Sequence, residues 1–135
     1  MNRLYDTSSL IELIFSDGAA GLEDVFDEAI LDLTIYEAGN VLWKANALQG
    51  RITDEQRDTF LTLLEESEPD IERLSIGSVG LETVMEIGIA EELTFYDTAY
   101  VAVARELDLT LVTEDAKLQN KASSYVTIET IGRIS

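Results

Sequence analysis

The side chains of this chain that could do chemistry are acids, and their placement is patterned. Asp6 follows the short apolar start Met1-Asn2-Arg3-Leu4-Tyr5, and Asp115 follows Leu109-Thr110-Leu111-Val112-Thr113. Asp97 opens the apolar run from Thr98 to Ala104, and Glu37 opens another from Ala38 to Trp43. Each falls where a strand would hand over to a helix, or in a helix's first turn. In an open α/β sheet, side chains outside the carboxyl ends of the strands converge on one crevice. Carboxylates gathered there repel one another unless they hold a cation, and the metal that suits them is hard and oxygen-loving.

Composition narrows the chemistry further. The chain contains no histidine and no cysteine. That excludes His–Ser and His–Cys catalysis, disulfides, and zinc sites built on imidazole or thiolate. Carboxylates, hydroxyls and a metal remain. Net charge is −18, from 27 acids against 9 bases, which argues against a basic reader of a DNA groove. Self-repulsion on that scale opposes a compact fold at low salt. At about 1 M salt the screening length falls to about 3 Å, so acid excess with scarce lysine points to a halophilic, archaeal protein. Most individual acids are then solvated surface.

The elements that must position the acids can be traced along the chain. With 135 residues and 46% apolar content, one domain over residues 1–135 can bury roughly two-thirds of its unfolded surface. Leu4-Tyr5 reads as a buried strand, and Ser8 to Phe15 as a helix with Ser9 and Glu12 spaced as a capping box. Gly18 and Gly21 punctuate, and Leu22, Val25, Phe26 and Ala29 then recur at helical spacing. Ile30 to Leu33 is a short strand candidate, and Ile35 to Leu48 a helix stopping at Gly50. Thr53 and Gln56 form a second capping box that opens a helix to Ser67. Pro69 breaks the chain, and Ile71 to Ile76 alternates partly like a strand.

Val79 to Leu93 and Thr94 to Leu107 read as helices, the second apolar on nearly every face and therefore buried. Leu109 to Val112 is a strand, Ala116 to Ala122 a helix, and Val126 to Ile128 a last strand. The alternation predicts an α/β domain, with a mainly parallel central sheet of about four to five strands and helices on both faces. No run approaches ~20 uncharged apolar residues, and the start lacks an apolar signal region. A cytoplasmic protein without membrane attachment is expected.

Each acid also has a plain structural explanation. Asp6 and Asp115 could be helix N-caps, Asp97 could favour a helix dipole, and Glu37 could be a solvated charge beside Asn40, Val41 and Lys44. Asp97 is hardest to dismiss, because the helix it opens is apolar all round and a buried lone carboxylate is costly.

Taken together, the spacing resembles the PIN domain, a family of metal-dependent ribonucleases, and within it the VapC-type toxins. The resemblance rests on Leu4-Tyr5-Asp6-Thr7-Ser8, on Ile35 to Lys44 around Glu37, and above all on Thr94 to Ala104 around Asp97, running on through Leu111-Val112-Thr113-Glu114-Asp115. It implies that Asp6, Glu37, Asp97 and Asp115 form the acidic metal-binding and catalytic set, with Ser8 and Thr113 as supporting hydroxyls. Glu114 is additional negative charge beside the set or on the surface. The implied activity is Mg²⁺- or Mn²⁺-dependent endoribonuclease cleavage of single-stranded or structured RNA, leaving a 5′-phosphate and a 3′-hydroxyl.

Physics agrees with that implication: a phosphodiester and its attacking water both profit from a cation, and Mg²⁺ binds through one or two carboxylates, phosphate and water. Asp6 and Asp97 are expected as direct ligands, with Asp115 and Glu37 holding a second ion or water. Lys44 and Lys117 are candidate phosphate contacts, or solvated charges. A toxin implies a cognate antitoxin whose inserted Arg or Lys would suit an acidic groove, and the family implies a homodimer. Leu10, Ile14, Val41, Leu42, Trp43 and Leu63 are candidates for its interface or for the core. Two other readings stand beside this one: a non-catalytic PIN-like binding scaffold, and an aspartate-based phosphohydrolase, which usually carries a second acid where Ser8 stands.

Overall fold

The computed structural model describes residues 1–134. Its centre is a five-stranded sheet in the order β3-β2-β1-β4-β5, every pairing parallel. The strands are β1 (Arg3–Tyr5), β2 (Ala29–Leu31), β3 (Glu72–Leu74), β4 (Thr110–Val112) and β5 (Ile128–Glu129). They alternate with α1 (Thr7–Glu23), α2 (Asp32–Trp43), α3 (Asp54–Glu66), α4 (Leu81–Glu91), α5 (Phe95–Glu106), α6 (Ala116–Ala122) and α7 (Ile131–Ile134). Because side chains alternate across a strand, β1 sends Leu4 to one face and Tyr5 to the other. Leu4, Ala29, Leu31 and Leu111 pack with α5 and with Leu118 and Ala122 of α6. Tyr5, Ile30 and Val112 pack with α1, α2 and Leu64 of α3. The expected layered sheet is therefore what the chain forms.

Strand order reverses at β1: the chain winds outward through β2 and β3, then returns to lay β4 on the other side. A crevice opens outside the carboxyl ends of adjacent strands at such a point, here β1 and β4. The seam is tied by the Asp6 amide and the Ser9 hydroxyl, which both donate to the Val112 carbonyl, at 3.1 and 2.9 Å.

Several local expectations are corrected. The Ser9/Glu12 capping box does not form; α1 starts two residues before Ser9, and Asp6 caps it by accepting from the Ser9 amide. The helix runs to Glu23 through Gly18, whose φ of 58° lets the chain kink and resume. A residue without Cβ adopts that conformation readily. The helical spacing from Leu22 to Ala29 is coincidental, since Ala29 already lies in β2. Asp32 and Leu33 belong to α2, not to the strand, because the Thr34 hydroxyl accepts from the Leu31 amide and starts the helix earlier. The Thr53/Gln56 box forms as expected. The last strand falls on Ile128–Glu129, later than Val126 to Ile128.

Of the apolar interface candidates, Leu10, Ile14 and Leu42 are buried, Val41 and Leu63 half-buried, and Trp43 exposed. Among the described residues, no helix is long and apolar enough to cross a membrane.

Candidate active site

Asp6 stands directly after β1, as the N-cap of α1. It is buried, yet three donors meet it: Oδ1 accepts from the Ser8 hydroxyl at 2.7 Å and the Ser9 amide at 2.9 Å, and Oδ2 from the Thr113 hydroxyl. Burial raises its pKa above the ordinary carboxylate range, opposed first by Thr113 and then by the Ser9 amide and Ser8. These donors take three of the roughly four lone-pair directions of a carboxylate, and the one remaining can meet a cation.

Asp115 follows β4 and caps α6, its Oδ1 accepting from the Lys117 and Leu118 amides at 2.9 and 3.2 Å. Thr113 joins the two acids: its hydroxyl donates to Asp6 and accepts from the Asp115 amide at 3.1 Å. Ser8 lies 3.3 Å from Thr113 and accepts from the Glu114 amide. Ser8 and Thr113 thus both donate to the Asp6 carboxylate. Glu114 turns elsewhere, its carboxylate accepting from the Ile131 amide at the start of α7.

Glu37 projects from the second turn of α2 rather than the first, since that helix begins at Asp32. Its Oε1 accepts from the Thr7 hydroxyl at 2.8 Å and the Tyr100 hydroxyl at 2.7 Å. Tyr100, in turn, lies 2.8 Å from the buried Thr34 hydroxyl and 3.0 Å from that of Thr7. Sequence reasoning missed Tyr100 and Thr34. Tyr100 sits three residues beyond Asp97 on α5, hence on the same helical face, and that spacing was the available signal.

Asp97 lies in the first turn of α5, where the Thr94 hydroxyl accepts from its amide. Its carboxyl is half-buried, and its pKa is raised first by burial, then by the charge of Asp115 and then by that of Glu37. Lys117 and the Thr94 hydroxyl oppose the shift without cancelling it. Asp97, Asp115 and Glu37 therefore share one field, with Lys117 as its nearby cation. Lys44, at the end of α2, is exposed, and its charge is not among those acting on Asp97.

Among the described residues, no three acid side chains close on a point that could hold a metal as they stand. The donor set nonetheless fits a hard divalent cation: it is all oxygen, it is under-neutralised at Asp97, and the hydrogen bonds to Glu37 and Asp115 fall on one carboxylate oxygen of each.

A PIN domain model matches residues 3–123. The chain belongs to the PIN-domain family. This PIN domain is of the VapC type. It is 38% identical over 103 residues to exonuclease VapC9 of Pyrobaculum aerophilum, covering 76% of this chain and 73% of that one. It is 33% identical over 97 residues to ribonuclease VapC3 of the same organism, covering 72% of each. The crystal structure of PAE2754 from Pyrobaculum aerophilum superposes with a TM-score of 0.78 at 31% identity, covering 99% of this PIN domain and 93% of that chain.

Proposed function

We propose that this PIN domain is a metal-dependent endoribonuclease and the toxin of a toxin–antitoxin pair. The coarse reading, a nuclease, is supported by family membership and by the two relatives, named an exonuclease and a ribonuclease. The finer reading is carried by Asp97, whose half-buried carboxyl lies in the field of Asp115 and Glu37, where a bound cation would offset the shared negative charge.

Asp97 and Asp6 would hold the ion directly, and Asp115 and Glu37 would bind a second ion or orient water. Mg²⁺ or Mn²⁺ suits such donors. When bound, a divalent cation polarises a phosphoryl oxygen and lowers the pKa of an attacking water. Thr113 and Ser8 keep the Asp6 carboxylate in one orientation, and Thr7 and Tyr100 do the same for Glu37. Lys117, whose charge acts on Asp97, would approach a phosphate, and exposed Lys44 is a second candidate. RNA is the proposed substrate, a cognate antitoxin presenting Arg or Lys the proposed partner, a homodimer the proposed assembly and the cytoplasm the proposed location.

The test is RNA cleavage by purified Asp97→Asn with Mg²⁺ or Mn²⁺. Cleavage should vanish while the fold persists, and wild-type-like cleavage would sink the assignment. A non-catalytic scaffold is the second reading, favoured by acids that do not converge as they stand. Calorimetric titration with Mn²⁺ separates the two, since a scaffold would bind no metal. An aspartyl-phosphate mechanism fits poorly, because Asp6 is buried and both its oxygens are already hydrogen-bonded.

A further inference from the structure

Two large aromatic side chains flank the candidate site in the open. Tyr36 precedes Glu37 on α2 and is 79% exposed; Tyr96 precedes Asp97 on α5 and is 61% exposed. A step of one residue turns a helix by about 100°, so each ring stands beside its acid and further from the core. Both line one groove of about 420 Å³, together with Thr7, Leu33, Glu37, Asn40 and Val41. The groove is thus lined both by the hydrogen-bonded pair Glu37–Thr7 and by the two phenols.

The chemistry of the lining, two exposed phenols beside an acidic site, points to the occupant. A chain with 27 acids and 9 bases cannot draw a polyanion by counterion release in the usual way, which needs Lys or Arg at the phosphates. Attraction that carries no charge is what this surface can offer. A base–aromatic stack is such an attraction, and any base has a π-face to give. Asn40 adds an amide, which can donate to and accept from a base edge.

We propose that Tyr36 and Tyr96 form a stacking platform that takes one unstacked nucleobase of a single-stranded RNA beside the phosphate at the acidic site. This deepens the ribonuclease reading and rests on it. Single strands are selected over duplex, because only an unpaired base can be splayed onto the rings.

The experiment uses an end-labelled single-stranded oligoribonucleotide and the same strand with one abasic position near the cleavage site. Wild type should show a KM roughly 5- to 150-fold higher on the abasic strand, the range expected for one stacked base. Tyr36→Ala and Tyr96→Ala should raise KM on the intact strand and lose sensitivity to the abasic position, with kcat changed less. Tyr36→Phe and Tyr96→Phe keep the ring and should behave as wild type. Alanine variants with wild-type KM and full abasic sensitivity would overturn the platform. So would variants that bind RNA normally but no longer bind a co-expressed antitoxin. Affinity for the intact strand, read by anisotropy in EDTA, separates the two readings. Weakened binding by the alanine variants, with no cleavage by wild type, supports the platform and rejects the nuclease. Cleavage with unchanged KM and Kd rejects the platform alone.

Discussion

Replacing Asp97 by Asn should stabilise the metal-free protein while it removes activity. Burial and the charges of Asp115 and Glu37 all oppose ionisation of Asp97 in the folded state, whereas the unfolded chain meets no such opposition. At neutral pH, folding therefore carries an ionisation penalty that an amide of the same shape avoids. Each tenfold displacement of an acid equilibrium is about 1.4 kcal/mol. Because the carboxyl is only half-buried, solvent screening keeps the penalty small, and the variant should melt above wild type in EDTA. For a domain of this size, each 1 kcal/mol gained is a rise in Tm of about 3–5 °C.

The sign follows from linkage: a raised folded-state pKa contributes stability below the unfolded value, and that contribution is lost as pH rises through the folded one. The variant's advantage should thus fade as pH falls toward 4. Divalent metal should reverse the order. At one hundred times Kd, a bound ion stabilises wild type by about 2.7 kcal/mol, and the variant should gain much less. Thermal melts in EDTA and across a Mg²⁺ or Mn²⁺ titration read both effects. A variant less stable than wild type in EDTA, beside a wild type indifferent to metal, would refute the reasoning.

Tyr100→Phe removes the hydroxyl shared by Glu37, Thr7 and Thr34. It should cost about 1–2 kcal/mol and reduce cleavage about 10- to 100-fold, as measured by melts and steady-state kinetics. Alkali should unfold the protein early: burial pushes the Tyr5 phenol up from 10 to about 12, so stability present below pH 10 is lost as pH rises through 12. That loss is roughly 2 kcal/mol, visible in denaturant titrations at pH 8 and pH 11.5. If metal bridges and stacking, rather than lysines, hold RNA, cleavage should persist in molar KCl; complete inhibition with an intact fold would contradict this.

The layered fold was legible because each strand and helix carries its own periodicity, and Asp6 and Asp115 were legible because a cap must stand at the boundary it makes. Less legible were features settled by contacts between distant segments. Asp6 outcompetes Ser9 as the cap because the chain leaving β1 is already pinned to Val112 of β4. Glu37 moved from a first turn to a second because Thr34 reaches back to Leu31. Tyr100 read as one more core residue of an apolar helix; only folding brings its hydroxyl to Glu37, 63 positions away.

Arg3 sits in β1 at the opposite end of the sheet from the acids. Its guanidinium pairs with Glu28 at 3.3 Å and Glu129 at 2.9 Å, joining the central strand to the entrance of β2 and to the edge strand β5. A scarce cation is thus committed to holding strands together, and Lys117 is the cation that acts on Asp97 at the other end. One guanidinium shared by two carboxylates leaves the foot of the sheet negative too, but cross-linked. Substitutions of Arg3 therefore act first on how firmly the sheet holds together, at a distance from the carboxylates a substrate would meet.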